Sequence, residues 1–526
     1  MQIINPILPG YHPDPSILRV DDDYYIAVST FEWFPGVQIY QSRDLMHWNL
    51  LTYPLSRSSQ LDLIGNINSG GVWAPCLSYS DGLFYLIYTD VKSRSGAFKD
   101  THNYLVTAEN ITGPWSEPIY LNSSGFDPSL FHEEDGTKWL VNMIWDHRKG
   151  TNSFAGIALQ EYSESEQKLV GPIKNIFKGT ELGATEAPHI YKKDGYYFLM
   201  TAEGGTSYDH AITMARAESL SGPYYTDPQN PILTSDQTNK QQLQKAGHGS
   251  LVETQNGEWY IAHLCARPVK GNRCILGRET ALQKCYWTED NWLRVEGGQF
   301  PKFTLPAPDL KPFPIESESN LDDFDDVHLK KYWNSLRRPF TGDWVSLTER
   351  AGHLRLKGGE SMSSLHRQSL LARRLESFHT EIETAIDYQP ENFQQMAGLI
   401  IYYDTDDYVY LRITDHETQG KCLGIIQTKF GKYDELLPVD IALPDLPYYY
   451  LKAEIHREWL TFYYSLNRET WESAGGEIDI SHLADDAAEL NSLRFTGTFV
   501  GICVQDLSGS KEHADFSYFH YKHLDS

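Results

Sequence analysis

The chain has 526 residues, more than one ordinary core accommodates and enough for two or three domains. Its 45 Lys plus Arg stand against 71 Asp plus Glu, a net charge of −26 that argues against nucleic acid and anionic membrane surfaces as partners. Aromatic residues make up 13%, with 33 Tyr and 13 Trp, a composition suited to pleated sheets and to stacking on the apolar faces of sugar rings.

Residues 1 to 16 carry neither the basic start nor the apolar run of a secretory signal, and no stretch of 18 apolar residues occurs, so a cytoplasmic location is expected. Six cysteines (Cys76, Cys265, Cys274, Cys285, Cys422 and Cys503) form no CxxC pair, which predicts reduced thiols rather than a disulfide framework or a zinc site. The Asn110-Ile111-Thr112 sequon would then meet no glycosylation machinery.

A repeat organises the first 300 residues. Five segments align without a gap: Asp14 to Ile26, Trp73 to Tyr85, Asp127 to Trp139, Glu186 to Phe198 and His248 to Tyr260. Eight residues after each start stand Asp22, Asp81, Asp135, Asp194 and Asn256, followed by Asp23, Gly82, Gly136, Gly195 and Gly257. Asp-Gly and Asn-Gly pairs favour tight hairpins because those turns need positive φ. Each unit therefore predicts a strand, a turn and a second strand, such as Tyr24 to Val28, Leu83 to Tyr88 or Tyr196 to Met200. Intervals of 59, 54, 59 and 62 residues suit four-stranded blades with long loops, and five units predict a five-bladed β-propeller rather than a sandwich with chance turn similarity.

Equivalent positions of a propeller face one axis. The scaffold repeats, yet its leading position varies through Asp14, Trp73, Asp127, Glu186 and His248, the parts of a sugar-processing site. Glycosidic cleavage needs one carboxylic acid to protonate the leaving oxygen and one carboxylate to attack the sugar or activate water. Among three carboxylates in one cavity, repulsion and burial should raise at least one pKa. A propeller channel suits the wide spacing that admits a water and predicts inversion. Prolines flank Asp14 and stiffen it as a base requires, but Asp127 has the same Asp-Pro-Ser frame, and local chemistry leaves the choice open. Glu186 has the reach of an acid.

The stretches at 5 to 16 (NPILPGYHPDPS), 125 to 131 (GFDPSLF) and 186 to 191 (EAPHIY) resemble the three acidic motifs of glycoside hydrolase family 43, in particular its two-domain β-xylosidases, and the likeness spans the whole chain. The resemblance implies that Asp14 is the general base, Asp127 the carboxylate that tunes the acid and orients substrate, and Glu186 the general acid. It also places His248 and Arg278, of Gly-Arg-Glu-Thr, in the pocket. An arginine there donates paired hydrogen bonds. The resemblance allows a calcium ion on the axis near His248; no oxygen-rich calcium loop is visible, so no cofactor is required. Trp73 is a natural stacking platform, Phe31 and Trp145 are candidate walls of the sugar subsite, and Thr206, beside Gly204-Gly205, a candidate lining residue.

Pro301, Pro306, Pro308, Pro312 and Pro314 read as an extended linker, dividing a propeller over 1–308 from a second domain over 309–526. Short strands at Leu399 to Tyr403, Tyr408 to Ile413, Tyr448 to Ile455 and Trp459 to Tyr464 predict a β-sandwich. In the resembling xylosidases this domain is lectin-like and sends a loop over the propeller mouth. Phe495 to Phe499 is the candidate loop, with sandwich core as its competing role.

The expected activity is an exo-acting, inverting β-1,4-xylosidase on xylooligosaccharides, with α-L-arabinofuranosidase side activity, in a homo-oligomer (dimer or tetramer). Its rivals are an enzyme that is mainly an arabinofuranosidase and a carbohydrate-binding propeller without catalysis.

Overall fold

The computed structural model describes residues 1–235, 242–316, 318–487 and 494–524, none of them helical. The first domain is a five-bladed β-propeller. Its five antiparallel sheets follow one another along the chain, and among the described residues four have four strands and that of blade 4 has five; Ser16–Val20, Asp23–Val28, Gln38–Ser42 and Asn49–Thr52 build blade 1. The innermost strands of blades 2 to 5 are Gly71–Ser80, Ser129–His132, Glu186–Lys193 and Gln244–Glu253. Apolar cores lie between neighbouring blades, as where Ala27 and Ile39 of blade 1 meet Leu77 and Leu86 of blade 2.

The hairpin turns differ in detail from expectation. Asp81-Gly82 and Asp194-Gly195 are two-residue turns with positive φ at both positions. In blade 1 the turn falls one residue earlier, at Asp21-Asp22. In blades 3 and 5 Gly136 and Gly257 close longer loops, their amides bonding back to Glu133 and Thr254 carbonyls. Two positions after each segment start, serine and proline alternate, and the serines stitch blades together. Ser16 Oγ accepts from the Leu77 amide at 3.0 Å, Ser250 Oγ from the Ile17 amide at 3.0 Å, and Ser129 Oγ donates to the Pro188 carbonyl at 2.5 Å.

The ring is closed by the N-terminal segment. Gln2–Ile4 pairs with Thr304–Pro306, Leu8 bridges Thr280, and the His12 amide donates to the Arg278 carbonyl at 2.9 Å. The proline-rich stretch therefore begins as a propeller strand, and the first sandwich strand, Leu321–Asp322, follows it.

The second domain is, among the described residues, a β-sandwich of two nine-stranded sheets. Three of the anticipated strands extend to Gln395–Asp404, Asp407–His416 and Trp459–Ser465, and the other is shifted by one residue to Tyr449–His456. One sheet recruits a strand from the propeller: Trp33–Phe34 pairs with Asn334–Leu336. At this seam Trp33 stacks on Phe499 with ring centroids 3.7 Å apart, a contact worth about 0.5–1.5 kcal/mol beyond area burial. Gly277 and Gly497 make the backbones touch, since a Cβ on Gly277 would lie 2.8 Å from the Gly497 Cα.

Candidate active site

A backbone device aims the leading residue of each segment at the axis. Asp14, Asp127 and His248 have φ of 57°, 54° and 48°; in blades 2 and 4 the following alanines, Ala74 and Ala187, take φ of 34° and 48°. Left-handed backbone costs an L-residue about 1–2 kcal/mol. Register shifts accompany it between Trp73 and Cys76, Glu186 and His189, and Gly247 and Gly249. Each is a bulge that re-aims a side chain out of the strand alternation, a placement typical of functional sites.

Asp14 is the best-anchored carboxylate. Arg278 Nη1 donates to its Oδ1 at 2.9 Å, Ser29 Oγ donates to its Oδ2 at 2.7 Å, and His248 Nδ1 stands 3.6 Å from Oδ1. Ser29 Oγ in turn accepts from the Ala74 amide at 2.7 Å, tying blade 1 to the bulge of blade 2. Arg278 also donates to Thr206 Oγ1 and to the Phe495 carbonyl, both at 3.1 Å. Asp14 and Arg278, 264 residues apart, meet because ring closure lays the segment before Asp14 along the strand that Arg278 precedes.

Asp127 and Glu186 form the second half of the site. Burial pushes the Glu186 carboxyl up to about 8, the Asp14 charge adds to this, and Arg278 opposes it. Burial also drives Asp127 well above the usual carboxylate range, reinforced by Glu186 and then Asp14, while Arg278 and the Ala187 amide pull it down. The Ala187 amide, supplied by the bulge that aims Glu186, thus links the two acids. Burial lowers His248 below the usual imidazole range, against the pull of Asp14. One salt-bridged carboxylate therefore faces a buried pair whose affinity for protons is raised, the division of labour that acid and base chemistry at one bond requires.

Aromatic rings wall the cavity. Phe31 lies 5.8 Å from Trp73, and Phe495 of the sandwich lies 6.3 Å from Phe31 and 5.4 Å from Trp73. The Arg278 guanidinium sits 5.5 Å from the Phe31 ring and 5.7 Å from that of Phe495. The candidate loop thus divides its roles: Phe495 faces the site while Phe499 packs in the domain seam. Trp145 is linked to Trp73 by ring contacts through Phe154 and Phe126. Its indole N–H donates to the Ala97 carbonyl at 2.9 Å. Ser29, Phe126 and the loop carrying Ala97 were not anticipated. Phe126, next to Asp127, could have been found from that adjacency; nothing in the sequence signals Ser29.

His248 belongs to neither cluster of three metal-ligating side chains among the described residues. Those are Cys274 with Asp485 and Asp486, and Glu381 with Glu383 and His520. In the first, Lys245 Nζ already bonds both aspartates. Among the described residues no set of three ligating side chains gathers at His248, so a calcium ion there would need ligands beyond a ready-made side-chain cluster.

A propeller whose axis carries three carboxylates, an arginine and an aromatic enclosure completed by a second domain is the architecture of a glycoside hydrolase. Residues 3–293 match the model for glycosyl hydrolases family 43, and residues 321–522 match the β-xylosidase C-terminal concanavalin A-like domain. The chain belongs to glycoside hydrolase family 43. It is 50% identical to a β-xylosidase of Bacillus subtilis, over 99% of this chain and all of that protein. It is 47% identical to xylosidase/arabinosidase 43B of Humicola insolens, over 99% and 98% of the two chains. The crystal structure of a xylan β-1,4-xylosidase from Bacillus halodurans superposes with a TM-score of 0.98 at 65% identity, covering 99% of this chain and all of that one.

Proposed function

We propose that the chain is an exo-acting β-1,4-xylosidase that removes single xylose units from the non-reducing ends of xylooligosaccharides with inversion, with side activity on α-L-arabinofuranosides. The observation that carries the exo reading is the Phe495 contact. Its carbonyl accepts from Arg278 and its ring closes on Phe31 and Trp73, so the sandwich caps one side of the site and favours a chain end. The names of the relatives, β-xylosidase and xylosidase/arabinosidase, support the substrate class.

In this reading Asp14 takes the proton of a water whose oxygen attacks the anomeric carbon. Arg278 and Ser29 hold the carboxylate in line. Glu186 gives its proton to the glycosidic oxygen as the C1–O bond breaks, and Asp127, buried beside it, positions the acid and the substrate. A β-linked xyloside then yields α-xylose. All six cysteines are free, as a reducing compartment keeps them, which supports a cytoplasmic location.

The acid must be protonated to act, so kcat/KM on xylobiose is expected to fall as pH rises through about 8, approaching tenfold per unit beyond it. A pH–rate profile measures this. Substrate class is tested by comparing kcat/KM on nitrophenyl β-xyloside, xylobiose and nitrophenyl α-L-arabinofuranoside. The xylosides are expected to lead. A lead for the arabinofuranoside would reverse the assignment, and turnover of none with sugar binding intact would point to a binding propeller.

A further inference from the structure

We propose that Phe98 and His147 form the stacking platform for the sugar on the leaving-group side of the scissile bond; this rests on the xylosidase reading and adds the subsite that grips the rest of the chain. In a site capped by the sandwich, everything beyond the first xylose must pass out over the loops around the mouth.

One of those loops, 94–99 of blade 2, touches both Phe495 in the wall of the site and Trp145. The Arg94 guanidinium lies 5.1 Å from the Phe495 ring, and the Ala97 carbonyl accepts from Trp145 Nε1. The loop is pinned at both ends. Arg94 donates to the Asn68 carbonyl through Nη2 at 3.2 Å, and Lys99 Nζ donates to the Arg94 carbonyl at 2.6 Å.

Trp145 spends its polar edge and one face on this loop, because Lys99 Nζ sits 4.2 Å from its ring centroid. The free aromatic surface lies one step outward. Phe98 is 71% exposed, and its ring lies 4.7 Å from that of His147, tilted by 36°. His147 is itself exposed and stands two residues beyond Trp145. A lone exposed phenylalanine is ordinary. Here two rings from different blades pair in solvent, on a braced loop continuous with the pocket wall. A pyranose presents an apolar C–H face of matching kind, and His147 adds a ring nitrogen able to bond a hydroxyl.

The test compares wild type with Phe98→Ala, His147→Ala and Phe98→Trp in kcat/KM for xylobiose and xylotriose, alongside the inhibition constant of free xylose, which reports the first subsite. Phe98→Ala is expected to lower kcat/KM on both oligosaccharides about fivefold, mostly through KM. His147→Ala should lower it less, Phe98→Trp should restore it, and xylose inhibition should stay unchanged. Oligosaccharide kinetics equal to wild type would overturn the platform, as would a parallel loss of xylose affinity. Changed sedimentation of Phe98→Ala with unchanged kinetics would assign the ring to contact with a second copy of the chain instead. Failure of the wild-type chain to release xylose from xylotriose would instead remove the xylosidase reading beneath the proposal.

Discussion

Glu186→Gln is expected to lower kcat on xylobiose by about 10²–10⁴-fold, the usual contribution of a positioned general acid. The glutamine keeps the volume of the side chain but has no proton to give to the departing sugar oxygen. The loss should depend on the leaving group. A nitrophenolate departs with little protonation, so the aryl xyloside should lose far less than xylobiose, and the alkaline limb near pH 8 should vanish from the profile. That limb is tied to the raised carboxyl of Glu186. Steady-state kinetics on both substrates measure the difference. An equal loss on the two would assign Glu186 to binding rather than proton transfer.

The second large effect is expected at Asp14. Asp14→Asn should lower kcat by a similar about 10²–10⁴-fold, but equally for xylobiose and the aryl xyloside, because water must be activated whatever departs. It carries a structural cost as well. Arg278 is 4% exposed and bonds Asp14 at 2.9 Å, so the amide leaves a buried guanidinium without its counter-charge. Breaking such a pair costs about 3–5 kcal/mol, less whatever the remaining bonds to Thr206 and the Phe495 carbonyl retain. The thermal midpoint should therefore fall in Asp14→Asn and much less in Glu186→Gln. The contrast separates a carboxylate held by a cation from one raised by burial.

The propeller was legible in the sequence because its blades carry one hairpin pattern at nearly constant spacing, and a repeat of that length has few other solutions. The meeting of Asp14, Asp127 and Glu186 was legible for the same reason, since residue type varies at one repeated position of a constant scaffold. What escaped was set by backbone conformation and by distance along the chain. Nothing about Ala74 or Ala187 announces positive φ, because alanine tolerates many conformations and its left-handed state is imposed by the surrounding strands. The turn register slipped for a related reason. Asp-Gly marks a bend, yet whether two residues or a longer loop close it is decided by strand pairing, as Gly136 shows against Gly82.

The domain seam was the least legible part. Trp33 and Phe34 form a strand of only two residues whose partner, Asn334–Leu336, lies 300 residues away, and no periodicity can appear in so short a piece. The segment 495–499 offered two phenylalanines around Gly497 and two competing roles. Both are realised, one ring in each, because Gly497 packs against Gly277 at the seam and the chain on either side meets a different domain.

The most direct test of the account is proton NMR of the sugar released in the first seconds from xylobiose. A water activated by Asp14 and a leaving group protonated by Glu186 across the sugar give α-xylose first, with the β anomer growing in later by mutarotation. If β-xylose comes first, a covalent intermediate has formed, and the roles given to Asp14 and Glu186 are wrong.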